Sequence, residues 1–367
     1  AIAQTWHGLW QSLFNAPYFL VLRAVQYAGH SIFYSRLVAV AFGFLAVVLL
    51  YYVVYKWLGW KMASIAALLF GTNSYLLHAS RLADPAVLQI VVGISLVALF
   101  CVIYKQPSAR GAVLWLMALP LLLYVPGAIW PVVVTMLMGW RKLLAAWSVT
   151  SKKVRIFGVG ASLLLVAPLL YFLVHTTLLS KNFAVVRNWL GWNLHGDIVS
   201  LSKSYLRGLG ELPRHLFWHG NGLGQPALSV GNLPAVGVAT AILALLGLYV
   251  VISRYRDARW RLVIILLLTG WLASGLGVLG VAVVLPYLYI LAAIGLAYLL
   301  TEWYKVFPRN PIARGLGFGL IIAVVALSGL YDLRSYFVAW PHMPATTQTF
   351  DCPPAAPRPA HCLQSNF

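Results

Sequence analysis

Residues 63–103 read ASIAALLFGTNSYLL (63–77), HASRLADP (78–85) and, after Ala86, VLQIVVGISLVALFCVI (87–103). Two long apolar runs therefore meet at a short polar knot. Apolar stretches of about 20 residues are long enough to cross a hydrocarbon core of about 30 Å. A carboxylate held where two such helices meet is costly and asks for a reason. Asp84, one of only seven acidic residues in the chain, sits in that knot.

The same pattern extends outward in both directions. Apolar residues make up 62% of the 367 residues, charged residues 9%, and mean hydropathy is +0.85. A soluble domain carries roughly 25% charged residues. The composition predicts an all-α, polytopic integral membrane protein. Ten spans are expected, at 36–57, 60–79, 85–104, 111–124, 127–140, 156–176, 232–253, 261–280, 282–303 and 315–333. The fourth and fifth are short and are parted by Tyr124-Val125-Pro126-Gly127, a turn signal. A re-entrant hairpin is the alternative for that pair.

Orientation follows from the basic residues, which gather in short cytoplasmic loops. With residues 1–35 outside, the five inner loops hold Lys56 and Lys61; Lys105 and Arg110; Arg141, Lys142, Lys152, Lys153 and Arg155; Arg254, Arg256, Arg259 and Arg261; and Lys305, Arg309 and Arg314. These are 16 of the 26 Lys and Arg, so most of the +19 net charge is a topology signal. The cations are divided among membrane loops instead of forming one basic face, which excludes nucleic acid as a partner. The same orientation puts all nine histidines outside, with Asp84, Asp197, Glu211, Asp332 and Asp351 there or at outer span ends. Short basic inner loops account for part of that asymmetry, and an outward-facing polar site for the rest.

Cysteine usage agrees with an oxidising outer space. Cys352 and Cys362 flank a Pro-rich segment in the tail and are expected to close a small disulfide loop. Cys101, inside a span, reads as a packing residue. His215 and His219 are spaced i, i+4, but the Phe-Trp between them lacks the Glu of a zinc motif, so no metal site is expected.

Three regions flank or interrupt the two span groups, 36–176 and 232–333. Residues 1–35 mix aromatic and apolar residues as an outer interfacial helix does. Residues 177–231 form a large extracytoplasmic loop carrying Lys203, Arg207 and Arg214. Its segment His219-Gly-Asn-Gly-Leu-Gly-Gln225 lacks the Lys-Ser/Thr ending of a phosphate loop. Residues 334–367 form a Pro-rich extracytoplasmic tail.

In order, the chain presents an interfacial helix, a span opened by Ser35-Arg36-Leu37, the run Ala63–Arg81 ending near the outer surface, and Leu82-Ala83-Asp84-Pro85 opening the next span. This arrangement resembles the GT-C superfamily of polyprenyl-phosphate-dependent glycosyltransferases, in particular the protein O-mannosyltransferase and aminoarabinose transferase branch. The likeness covers most of the chain in layout and residues 36–90 in motif. Tyr124-Val-Pro-Gly127 and Tyr336-Phe-Val-Ala-Trp-Pro341 are less specific points of similarity. Two features depart from the family pattern. The family's first span and its Asp-Glu loop would precede Ala1. The late Arg-Tyr before Leu-Pro is replaced by Val281-Ala-Val-Val-Leu-Pro286-Tyr, without arginine.

The resemblance implies transfer of a sugar from a polyprenyl-phosphate donor to a protein, lipid or glycan acceptor on the extracytoplasmic face of a bacterial-type inner membrane. Such transfer needs a base near the acceptor and cations on the leaving phosphate. Asp84 would support the acceptor or the family's missing catalytic Asp, with a helix cap before Pro85 as its alternative role. Arg81 would pair with Asp84 or contact phosphate. His78, Lys203, Arg207 and Arg214 are further substrate-binding candidates, against interfacial packing for His78 and headgroup contacts for the cations. No cofactor is implied beyond the donor lipid, a divalent metal stays open, and membrane lipids and complex subunits are the remaining partners. Two other classes compete: a GT-C-like scaffold without its base, and a transporter. Transporters place polar groups at the midplane of broken helices, unlike the end-sorted polar residues here.

Overall fold

The computed structural model describes residues 13–27, 29, 32–82, 85–104, 107–179, 181–192, 197–218, 233–277 and 280–343. Asp84, His219, Cys352 and Cys362, and with them the proposed catalytic carboxylate and disulfide, lie outside the described residues. In chain order the helices are α1 (Ala16–Gln26), α2 (Ile32–Leu58), α3 (Trp60–Gly71), α4 (Ser74–Arg81), α5 (Val87–Tyr104), α6 (Ala109–Leu122) and α7 (Ile129–Ser148). They continue with α8 (Lys152–Val174), α9 (Phe183–Trp189), α10 (Ile198–Phe217), α11 (Val238–Ser253), α12 (Ala258–Ser274), α13 (Val281–Val306) and α14 (Pro311–Arg334). Among the described residues, six helices are long and apolar enough to cross a membrane: Phe33–Leu58, Val87–Tyr104, Ile129–Ser148, Lys152–Leu178, Val281–Val306 and Pro311–His342. Trp60–Gly71, Ala109–Leu122 and Val238–Ser253 are shorter apolar helices.

Two helices form the centre. In α13 every residue from Val281 to Leu296 is buried, and α5 is buried along most of its length. Both are apolar all round, as a helix must be when protein surrounds it. They touch at Gly93, where a Cβ would come 3.0 Å from the Val283 carbonyl oxygen. The other helices pack around them, with α2, α4, α6 and α7 against α5 and α3, α11, α12 and α14 against α13. Trp115 pins α6 to α5 by donating its indole N–H to the Leu99 carbonyl at 2.7 Å.

Successive helices run up and down, so the turns sort to two ends. One end holds Gly59, residues 107–108 and the turns 149–151, 254–257 and 307–310, beside most of the Lys and Arg. There the Asp257 carboxylate accepts from Arg259 at 2.6 Å and from the Tyr104 hydroxyl at 2.9 Å. Burial pushes the Asp257 carboxyl up, but the Arg259 and Tyr104 hydrogen bonds outweigh it and hold the group below the usual carboxylate range.

Several boundaries differ from the sequence reading. The expected span 60–79 is broken at Thr72 and Asn73 into α3 and α4. The fifth span continues as helix to Ser148, because nothing between Gly139 and Ser148 breaks it. Residues 198–217 are a 20-residue amphipathic helix, α10, although Gly208, Gly210 and Pro213 read as loop residues. Tyr205, Leu209 and Leu212 on one face offset those weak helix formers: the Tyr205 hydroxyl donates to the Leu272 carbonyl, and Trp271 donates to that of Leu209. Finally, α14 does not stop at 333. It runs on through a π-helical turn, Ser335–Ala339, and a 3-10 turn, Trp340–His342.

The segment 181–192 returns over the opposite end. Trp189 donates to the Leu123 carbonyl and Trp130 to that of Leu190, and Gly127, at φ 77°, donates its N–H to Trp189. The Tyr124–Gly127 turn is thereby fixed, with Gly127 supplying a backbone angle that other residues adopt at a cost.

Candidate functional site

At the end away from the basic turns, α3 passes into α4 through Thr72 and Asn73. Asn73 is fully buried and uses its whole side chain. Its Oδ1 accepts from the Leu76 N–H, starting α4, and its Nδ2 donates to the Ala235 carbonyl at 2.9 Å. Ala235 and Val236 in turn donate their N–H groups to the His215 and Leu216 carbonyls. The α3–α4 corner, the end of α10 and the start of α11 are thus hydrogen-bonded together.

The short helix α4 then presents His78 and Arg81 to the π-helical turn after α14. The imidazole is 1% exposed, with ring centroids 4.8 Å from Tyr336 and 5.2 Å from Trp340. Its Nε2 has no hydrogen-bond partner among the described residues. One turn on, the Arg81 guanidinium lies 4.6 Å over the Trp340 ring and 5.9 Å from that of Tyr336. Cation–π contact of this kind contributes about 0.5–2 kcal/mol, more as water is excluded. Arg81 has no ion pair among the described residues. π-Helical turns recur at functional sites because the extra residue re-aims side chains. Here the turn brings Tyr336 and Trp340 onto the same imidazole.

Four residues before Tyr336, and so on the same face of α14, is Asp332. It is 4% exposed, and its Oδ2 has no partner among the described residues. Tyr289 of α13 lies near Asp332, Asn73 and Thr240. The contacts from Tyr289 fall short of hydrogen-bond geometry, and both the Tyr289 and the Thr240 hydroxyls are buried without partners among the described residues. A buried unpaired polar group costs about 1–3 kcal/mol, and an ionised one more. A carboxylate and two hydroxyls are thus buried near one another, a polar group inside an otherwise apolar bundle.

The remaining expected site residues fall elsewhere. Lys203, Arg207 and Arg214 lie on the exposed face of α10, with Arg207 paired to Glu211 at 2.8 Å. Exposed apolar residues share that face, including Ile198 at 84% and Leu206 at 65%. His78 and Arg81 meet on Tyr336 and Trp340. Sequence reasoning missed Asp332, Tyr289 and Thr240 as one group. The available signal was Asp332 itself, the lone acid inside the apolar run 315–333. Among the described residues no group of three His, Cys, Asp or Glu side chains could hold a metal ion.

The class defined by this fold is a helical membrane protein, its polar groups concentrated at helix ends. No protein-family model matches the chain, and no curated protein matches it.

Proposed function

We propose that the chain is a GT-C-type membrane glycosyltransferase of about ten spans. It would move a sugar from a polyprenyl-phosphate donor to an acceptor at the extracytoplasmic face of a bacterial-type inner membrane. The observation that carries this reading is Arg81. Its guanidinium is held on two aromatic faces without a carboxylate partner among the described residues, three positions before the Asp84-Pro85 pair that carries the resemblance. A planar cation fixed in that way suits a phosphate oxygen pair.

In this mechanism the lipid tail stays in the bilayer and the donor phosphate pairs with Arg81. The acceptor oxygen or nitrogen attacks the anomeric carbon, and the sugar–phosphate bond breaks. The electron pair leaves with the phosphate, and the acceptor proton goes to a carboxylate. Asp84 acts at the acceptor, and Asp332, near the end of α14, is a second carboxylate that could take the proton. His78 holds the Tyr336–Trp340 turn under Arg81. Lys203, Arg207 and Arg214 draw anionic lipid toward α10.

The test is release of polyprenyl phosphate from a panel of polyprenyl-phosphate sugars by the full chain in liposomes. Asp84→Asn is expected to abolish release, and Arg81→Ala to lower it by at least about tenfold. Wild-type turnover by Asp84→Asn removes that residue from the mechanism. The scaffold reading is favoured by one observation: the start of α13, Val281–Leu285, is buried, apolar and without the family's arginine. Neither release nor binding of any donor in the panel would decide for it.

A further inference from the structure

At the end carrying the basic turns, α14 stands away from α13 and α11 and leaves a groove of about 190 Å³. Leu243, Leu296, Leu300, Trp303, Leu320 and Val324 are among its walls, and no charged side chain lines it among the described residues. Its rim is open, with Leu299 46%, Leu320 52% and Val324 43% exposed. Apolar cavities near 150 Å³ exclude water and take up hydrocarbon instead. The bottom of the groove is built: the Trp303 indole sits against Gly317, where a Cβ would collide with the ring, and Trp303 Nε1 donates to the Ala313 carbonyl at 2.8 Å.

Just past that floor the charge changes. Arg314 is three residues before Gly317 and on the groove's face of α14. Its guanidinium lies 4.6 Å over the Tyr304 ring. Lys305 is neutralised by Glu302 at 2.7 Å, whereas Arg309 and Arg314 have no ion pair among the described residues. Glu302, Lys305, Arg309 and Arg314 together carry one negative and three positive charges, a surplus of two.

We propose that this groove binds an anionic glycerophospholipid, with an acyl chain along α13 and α14 and the phosphate between Arg309 and Arg314. The hydrocarbon complementarity selects a lipid, since both walls belong to helices long and apolar enough to span a bilayer. The surplus positive charge selects an anionic headgroup over a zwitterionic one, each cation near the surface favouring it. The site is at the opposite end of the bundle from Arg81 and Asp332 and does not depend on the transferase reading.

Native mass spectrometry of the full chain, released from detergent after incubation with phosphatidylglycerol or phosphatidylcholine of identical acyl chains, tests it. Retention of phosphatidylglycerol is expected to exceed that of phosphatidylcholine by on the order of tenfold. The double variant Arg309→Gln/Arg314→Gln is expected to lose the preference while keeping the fold. Leu320→Phe, on the exposed wall, is expected to reduce retention of both lipids, and Val324→Phe serves if the first variant unfolds. Equal retention of the two lipids by the wild type, or a preference unchanged in the double arginine variant, overturns the proposal. Displacement of the lipid by soluble glycerol phosphate would show a free-phosphate site and also overturn it.

Discussion

Helices α11 and α13 make the most extensive helix–helix contact in the structure, and two glycines make it possible. A Cβ on Gly247 would fall onto the Leu291 carbonyl oxygen and 2.6 Å from its carbon. A Cβ on Gly295 would fall onto the Leu243 carbonyl oxygen and 2.8 Å from the Gly247 nitrogen. Ordinary contact begins at 3.4 Å, so the carbon alone is short by 3.4 − 2.6 = 0.8 Å at Gly247. The obstructing atoms are backbone and cannot rotate away; the helices must part. Overpacking costs about 1–3 kcal/mol, here toward the upper end. Alanine recovers about 1 kcal/mol in helix propensity, so Gly247→Ala and Gly295→Ala are each expected to cost about 2 kcal/mol. The double variant should cost clearly less than the sum, because one separation relieves both clashes. Unfolding in mixed micelles with rising dodecyl sulfate, followed by tryptophan fluorescence, reads these differences. Either single variant within about 0.5 kcal/mol of wild type would refute the close-approach argument. Separation would also part Thr240 on α11 from Tyr289 on α13.

Other outcomes follow from individual contacts. Asp332→Leu replaces a buried carboxyl, whose Oδ2 is without a partner among the described residues, by an apolar side chain of similar size and is expected to raise stability by about 1 kcal/mol or more; a lowered thermal transition would mean the carboxyl is held by partners. Asp257→Asn should cost about 1 kcal/mol at neutral pH, by loss of charged hydrogen bonds at a partly exposed site. Because the folded Asp257 carboxyl lies below its unfolded value of 3.8, its stabilisation is present above that pH and lost as pH falls through the folded value. The variant should therefore show a flatter acid limb in thermal unfolding below about pH 4. Trp115→Phe deletes the buried bond to the Leu99 carbonyl and should cost about 1 kcal/mol in the same micelle titration; no change would mean that α6 needs no such pin.

The sequence alone determined that this is a helical membrane protein and how its turns sort to two ends, because apolar run length and loop charge are properties of composition along the chain. It also singled out His78 and Arg81, since polar residues between two apolar runs are conspicuous wherever the helices finally pack. It could not rank the helices. The runs that became α5 and α13, nearly enclosed, and α8 and α14, largely exposed, read alike, because lipid and protein interior accept the same side chains. Nor could it show α10, whose Gly208, Gly210 and Pro213 outweigh its periodicity until packing on α12 offsets them. The tertiary structure alone decided that Tyr336 and Trp340 close over His78 and Arg81, and that Asp332, Tyr289 and Thr240 are buried near one another. Those residues come from helices distant in sequence, and only the packing of α3, α11, α13 and α14 removes them from solvent together.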